Sequence, residues 1–190
     1  MKYFTIFYII VTFTCTLPLF SEIEQITLRW LPGICKDACL NDLEKRLLTL
    51  TDIAEIKIQG SQNQVTLRWK PKRSYNYREL DAAMRYVGIR VDEVFVTVRG
   101  TLKHDNRQVI LESLGDNSTF IILSPIALQP GQIAAEHNIE SHQLQPATRA
   151  QLIQAENEFK IVKIEGALLL PERVQPMYLI ASKIIIPASL

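Results

Sequence analysis

Two cysteines four residues apart, Cys35 and Cys39, carry the most specific chemistry in this chain of 190 residues. They stand in the stretch Pro32-Gly33-Ile34-Cys35-Lys36-Asp37-Ala38-Cys39, where turn-forming residues run into a helical pattern. Two thiols so placed can close a disulfide, hold a soft metal ion between thiolates, or stay free. If both were helical, the rise between them would be about 6 Å at about 1.5 Å per residue, with both sulfurs on one face. That lies toward the long end of the roughly 4.4 to 6.8 Å Cα separation of disulfides. Lys36 adds a positive charge that favours a thiolate, and a thiol redox role would need one sulfur exposed and readily ionised.

Other chemistry-bearing residues form weaker patterns. His137 and His142, with Glu136 and Glu140, make a polar cluster, but the two histidines are five residues apart, which suits neither a helix face nor a common ligand spacing. They read as exposed loop. His104 beside Asp105 reads as turn chemistry, and Asn117-Ser118-Thr119 is a glycosylation acceptor inside a hairpin turn. No Ser-His-Asp order, paired catalytic carboxylates or phosphate-binding glycine loop is evident, so the chain is not expected to be an enzyme. With 21 Lys and Arg against 20 Asp and Glu the net charge is +1, which argues against a nucleic-acid partner held by bulk charge. A composition of 47% hydrophobic and 22% charged residues is that of a packed globular protein.

The elements that must position these residues are expected to begin after a segment that reads as an export signal. Lys2 precedes an uncharged apolar run from Tyr3 to Phe20, and Glu22 and Glu24 follow it. Residues 1–21 therefore read as a signal peptide or, being close to membrane-spanning length, as an uncleaved anchor. The remainder is expected outside the cytoplasm, periplasmic or in the cell envelope, touching the membrane only if the anchor is kept.

From Ile26, the alternation of Ile26, Leu28 and Trp30 predicts a strand. Leu40, Leu43, Leu47 and Leu50 then predict a helix, Ile53, Ile56 and Ile58 a strand, and Val65, Leu67 and Trp69 a third strand after a turn at 60–63. Leu80, Ala83, Met84 and Val87 predict a second helix ending at Gly88, and Ile89 and Val91 open a fourth strand. This order predicts a ferredoxin-like βαββαβ sandwich over residues 22–94. Thr-Leu-Arg-Trp occurs in both the first and third strands, with Trp30 and Trp69 in phase beneath the helices. Arg29, Arg68 and Lys70 then share the opposite face, either solvated or docking an acidic partner.

The stretch from about Ile26 to Val94 resembles a heavy-metal-associated domain, the small copper-carrying module of metallochaperones and metal-pumping ATPases. That family carries Gly-Met-x-Cys-x-x-Cys in the loop before its first helix. Gly33 and Cys35 match the glycine and first cysteine, Ile34 replaces the methionine, and Ala38 occupies the place of the second cysteine because Cys39 comes one residue later. The Leu43, Leu47, Leu50 stripe and the Leu80 to Gly88 segment fall where the family has its helices. The resemblance implies a two-thiolate site for Cu(I) or Zn(II) at Cys35 and Cys39, with a metal donor or acceptor as partner.

Residues 95–190 read as a small all-β barrel. Val94 to Leu102, Val109 to Leu111 and Phe120 to Leu123 are predicted strands, a polar stretch with a helix over 146–156 follows, and two more strands end the chain. Glycine at the centre of Val96 to Leu102 and of Val162 to Leu168 suits sharply coiled strands. The pattern resembles an exported bacterial OB-fold. Phe95, Phe120, Phe159 and Tyr178 read as core rather than as base-stacking platforms, against a nucleic-acid role. The sequence as a whole predicts an exported soft-metal-binding protein with the barrel as scaffold or docking unit. The alternative is a metal-free envelope interaction module whose thiols are joined or idle.

Overall fold

The computed structural model describes residues 23–35, 37–114, 116–126 and 138–188. The apolar N-terminal run, Lys36, Glu136 and His137 lie outside the described residues.

The order is β1 (Ile23–Trp30), α1 (Asp37–Leu48), β2 (Ile53–Gln59), β3 (Gln64–Trp69), α2 (Tyr77–Tyr86), β4 (Val91–His104), β5 (Val109–Ser113), β6 (Thr119–Leu123), α3 (Pro146–Asn157), β7 (Val162–Leu169) and β8 (Met177–Ile185). Period-two alternation makes the strands amphipathic. In β1 the residues Ile26, Leu28 and Trp30 face inward, and in β3 Val65, Leu67 and Trp69 do so. The two strands pair antiparallel with Thr27 opposite Thr66 and Leu28 opposite Val65, which puts both tryptophans in the core. Leu43 and Leu47 of α1 and Leu80, Ala83 and Met84 of α2 pack into the same core.

The expected ferredoxin-like βαββαβ sandwich followed by a separate barrel is corrected by the pairing. All the described strands belong to one eight-stranded sheet, ordered β2-β3-β1-β4-β5-β6-β8-β7, and a further β4–β7 pairing closes β4 to β8 into a five-stranded barrel. The barrel is mixed, since β6 and β8 run parallel while the other pairs are antiparallel. Among the described residues the fold is mostly β, with three α-helices. The pairing of the first and third strands expected from their shared phase is present, but periodicity reports which face of a strand is buried and not what meets its far edge, and the expectation failed at the edges of β4. The fourth strand expected from Ile89 and Val91, and the barrel strand expected to follow it almost directly from Val94, are one strand, β4, which begins at Val91 and which both parts of the sheet use.

Residues 91–98 of β4 pair with β1, residues 100–104 with β5, and residues 95–100 with β7. Because 95–98 bond both β1 and β7, those two lie on opposite edges, and β5 takes over the edge that β1 leaves. Gly100 sits at this handover, opposite both Ser113 and Val162. A Cβ there would fall 2.1 Å from the Glu112 carbonyl oxygen, and one at Gly166 would fall 2.1 Å from the Ile180 carbonyl oxygen. Both glycines permit a backbone approach that any side chain would block. Glu24, at a β-bulge in β1, ties the junction together: its carboxylate accepts from Lys163 Nζ on β7 at 2.7 Å and lies 3.3 Å from Arg99 Nε on β4.

The core runs without interruption from the helices into the barrel, where Val109, Leu111, Phe120, Val162, Ile164 and Leu179 join it. α3 closes the barrel with Leu152 and Ala155. Replacing Gly100 with Ala is expected to lower stability by about 2 to 3 kcal/mol, because the obstacle is backbone and cannot rotate away. Urea denaturation followed by circular dichroism checks it, and an unchanged midpoint would show that the junction is looser than described.

Candidate functional site

The thiol loop is built by a turn. After β1, Gly33 adopts φ +80°, a left-handed conformation that redirects the chain before α1. Cys35 therefore lies in the loop and Cys39 in the first turn of the helix, not both on the helix. Their Cα atoms are 5.4 Å apart and the sulfurs are bonded to each other, with an S–S distance of 2.02 Å. Both side chains are half-buried against the core. Cys39 Sγ also lies 3.6 Å from the Val87 carbonyl oxygen beyond the end of α2. This is a contact and not a hydrogen bond, because a disulfide sulfur carries no proton. A disulfide sulfur is likewise no thiolate, so the donor set fits a soft ion only after reduction. Among the described residues no group of three or more His, Cys, Asp or Glu side chains gathers in a form that could hold a metal.

The three cations expected on the sheet face are spread out. Arg29 stands opposite Gln64, whereas Arg68 stands opposite Gln25, at the other end of the β1–β3 ladder. Four residues of strand separate them, about 14 Å at about 3.4 Å per residue. Arg29 is 3.4 Å from Glu93, donates to Gln64 Oε1 at 3.2 Å, and lies 4.4 Å over the ring of Phe95. Arg68 pairs with Glu55 at 3.3 Å, and Lys70, just past β3, donates to the Thr51 carbonyl.

Between the arginines lies a feature that sequence reasoning missed. The face turned away from the helices coils as the sheet passes from β2 through β3, β1 and β4 to β7 and β8, and forms a polar trough of about 450 Å³. Thr27 and Thr66 make its floor, their hydroxyls 3.2 Å apart. Gln25, Gln59, Gln64 and Thr97 stand around them, with Arg29 and Lys57 on one side and Glu165 and Ser182 from the barrel on the other. The matching Thr-Leu-Arg-Trp segments pointed to one wall. The other wall comes from Glu165 and Ser182, about 100 to 155 residues further along the chain, for which the sequence held no signal.

Other expected sites moved. His142 is buried, with Nδ1 3.1 Å from the Ser124 carbonyl, and its own carbonyl accepts from Ser124 N–H, so it anchors the core rather than an exposed loop. Asp105 accepts the N–H groups of Arg107 and Gln108, which hold its carboxyl below the usual range, as turn chemistry requires. His104 instead meets Glu156 of α3 at 2.6 Å. Of the four aromatics expected in the core, Phe120 is there. Phe159 is 92% exposed in a left-handed turn after α3, Phe95 faces the trough, and Tyr178 is covered by Arg173 at 4.0 Å. Among the described residues no helix is long and apolar enough to cross a membrane.

No protein-family model matches the chain, and neither does any curated protein or solved structure.

Two measurements follow from these sites. The pair spans a very short loop, so its entropic contribution is about 2 kcal/mol, and the Cys35→Ser, Cys39→Ser double variant is expected to fold with no larger loss than that. Thiol titration of the denatured full chain, which has three cysteines, should find one thiol before reduction and three after. Burial first, and then the Asp81 and Glu172 carboxylates, push the Tyr77 phenol up to about 12. A raised phenol favours the folded state fully below its unfolded pKa of about 10, and this contribution is lost between about pH 10 and 12. Titration at 295 nm of the wild type against Tyr77→Phe checks the shift.

Proposed function

We propose that the protein is an exported binding module that docks a polar or acidic segment of an envelope partner in the trough, with its thiol loop closed by a disulfide. The observation that carries this reading is the trough itself: a concave site whose walls come from both the helix-covered part of the sheet and the barrel. Its side chains offer both donors and acceptors, and the Arg29 guanidinium presents a planar donor fork to a carboxylate. The bonded cysteines suit an oxidising compartment and support export. The barrel supplies one wall of the site through Glu165 and Ser182.

A second reading, soft-metal binding at Cys35 and Cys39, is favoured by the convergence of the two sulfurs. Two-electron reduction would leave two thiolates close together at the start of α1, a donor set fitting Cu(I) and, with further ligands, Zn(II). This carrier would work only where a reductant reaches the loop.

The two readings separate by variant. A photo-crosslinking residue placed at Thr97 should capture the partner in intact cells. Arg29→Glu should reduce that capture by at least about tenfold, the scale of a lost charge-assisted contact, while Cys35→Ser leaves it unchanged. Capture that persists in Arg29→Glu, together with one-to-one Cu(I) binding by the reduced chain that vanishes in Cys35→Ser, would replace the docking reading with the metal reading.

A further inference from the structure

We infer that the Cys35–Cys39 bond is a redox-active disulfide that oxidises an acidic, dithiol-containing protein segment. This does not rest on the trough, which lies on the other face of the sheet. Three observations support it. The bond closes so short a segment that it constrains the unfolded chain weakly, and the turn at Gly33 already fixes the loop. Both cysteines are half-buried at the start of a 12-residue helix, where the positive end of the helix dipole stabilises a departing thiolate. Finally, Cys39 lines a groove of about 630 Å³ between α1 and the end of α2, together with Lys45, Arg46, Thr49, Tyr86 and Val87.

That groove has the features of a peptide cleft. Tyr86 is 75% exposed, with the Arg46 guanidinium 4.8 Å over its ring. Leu31 and Ile34, 55% and 44% exposed, lie in the same loop as Cys35. Large apolar side chains exposed beside a reactive bond suit a transient partner. Lys45 and Arg46 outnumber Asp42 there, so the cleft selects for acid near the attacking thiol.

The step balances within the pair. A substrate thiolate in the groove attacks Cys39 Sγ, the S–S bond breaks, and Cys35 leaves as a thiolate before α1. The second substrate thiolate attacks the substrate sulfur of this mixed disulfide and releases the Cys39 thiolate. Two substrate thiols have become a disulfide, and two electrons and two protons reside on Cys35 and Cys39. A low-molecular-weight disulfide such as oxidised glutathione returns the protein to its starting state.

The test uses the oxidised full chain carrying Cys15→Ser, mixed with the synthetic peptides Cys-Glu-Glu-Cys and Cys-Lys-Lys-Cys and followed by alkylation mass shift. Each rate is divided by that peptide's rate with the uncharged bis(2-hydroxyethyl) disulfide. One peptide disulfide per chain is expected, with the acidic peptide favoured about fivefold, the scale of an exposed charge contact. Arg46→Glu and Lys45→Glu should each remove or reverse that preference, Tyr86→Ala should slow both peptides, and Arg29→Glu should change nothing. Melting temperatures establish that the variants are folded. A pair that stays oxidised in excess peptide overturns the inference in favour of a structural bond. Equal normalised rates that ignore Arg46→Glu and Lys45→Glu overturn it in favour of unselective exchange.

Discussion

A strand has two hydrogen-bonding edges, and β4 uses its two for three partners. Over residues 91–98 one edge carries β1, over 100–104 it carries β5, and the opposite edge carries β7 over 95–100. The exchange of β1 for β5 has to occur within a residue or two, or backbone donors and acceptors would be buried without partners. That compels the chains at Gly100 to approach closer than any Cβ allows. The coil of the sheet, the barrel closure and the trough all follow from this handover. Glu24 serves it electrostatically, since one carboxylate at the end of β1 holds cations from both β4 and β7.

The same constraint explains what the sequence disclosed. Features written within one element were legible: the leucine stripe of α1, the shared Thr-Leu-Arg-Trp phase of β1 and β3, and the two glycines that mark the sharp bends. Features set by two distant elements were not. The alternation of Val94, Val96, Val98, Gly100 and Leu102 is identical whether β4 ends one sheet or belongs to a larger one, because the buried face is the same in both. Hence the expectation of a sandwich and a separate barrel, and hence the missed trough wall at Glu165 and Ser182. His142 was misread for a related reason. Its burial comes from hydrogen bonds with Ser124, 18 residues earlier, and local polarity carries no trace of them.

At the thiol loop the spacing was legible and the geometry was not. A helical i, i+4 pair would hold the cysteines about 6 Å apart in rise. Gly33 instead keeps Cys35 off the helix, and the Cα separation is 5.4 Å. One turn residue thus sets which chemistry is within reach: bonded sulfurs offer exchange, while reduced sulfurs offer two soft ligands. The displaced second cysteine matters less as a departure from a motif than as the reason that the bond crosses from loop to helix.

The trough and the thiol groove lie on opposite faces of the sheet, and the sheet's inner face with its helices stands between them. β1 touches both, lining the trough with Gln25, Thr27 and Arg29 and leading directly into the loop that carries Cys35. Ligand binding in the trough acts on side chains of the outer face, whereas reduction frees a loop anchored on the inner one. Because β1 is hydrogen-bonded on both edges, to β3 and β4, and its inner side chains are fully packed, it has little freedom to transmit a displacement. The two sites are therefore energetically separable. A strand pinned so firmly is a scaffold for two independent surfaces, and coupling between them would require loss of the β1–β4 ladder that organises the whole sheet.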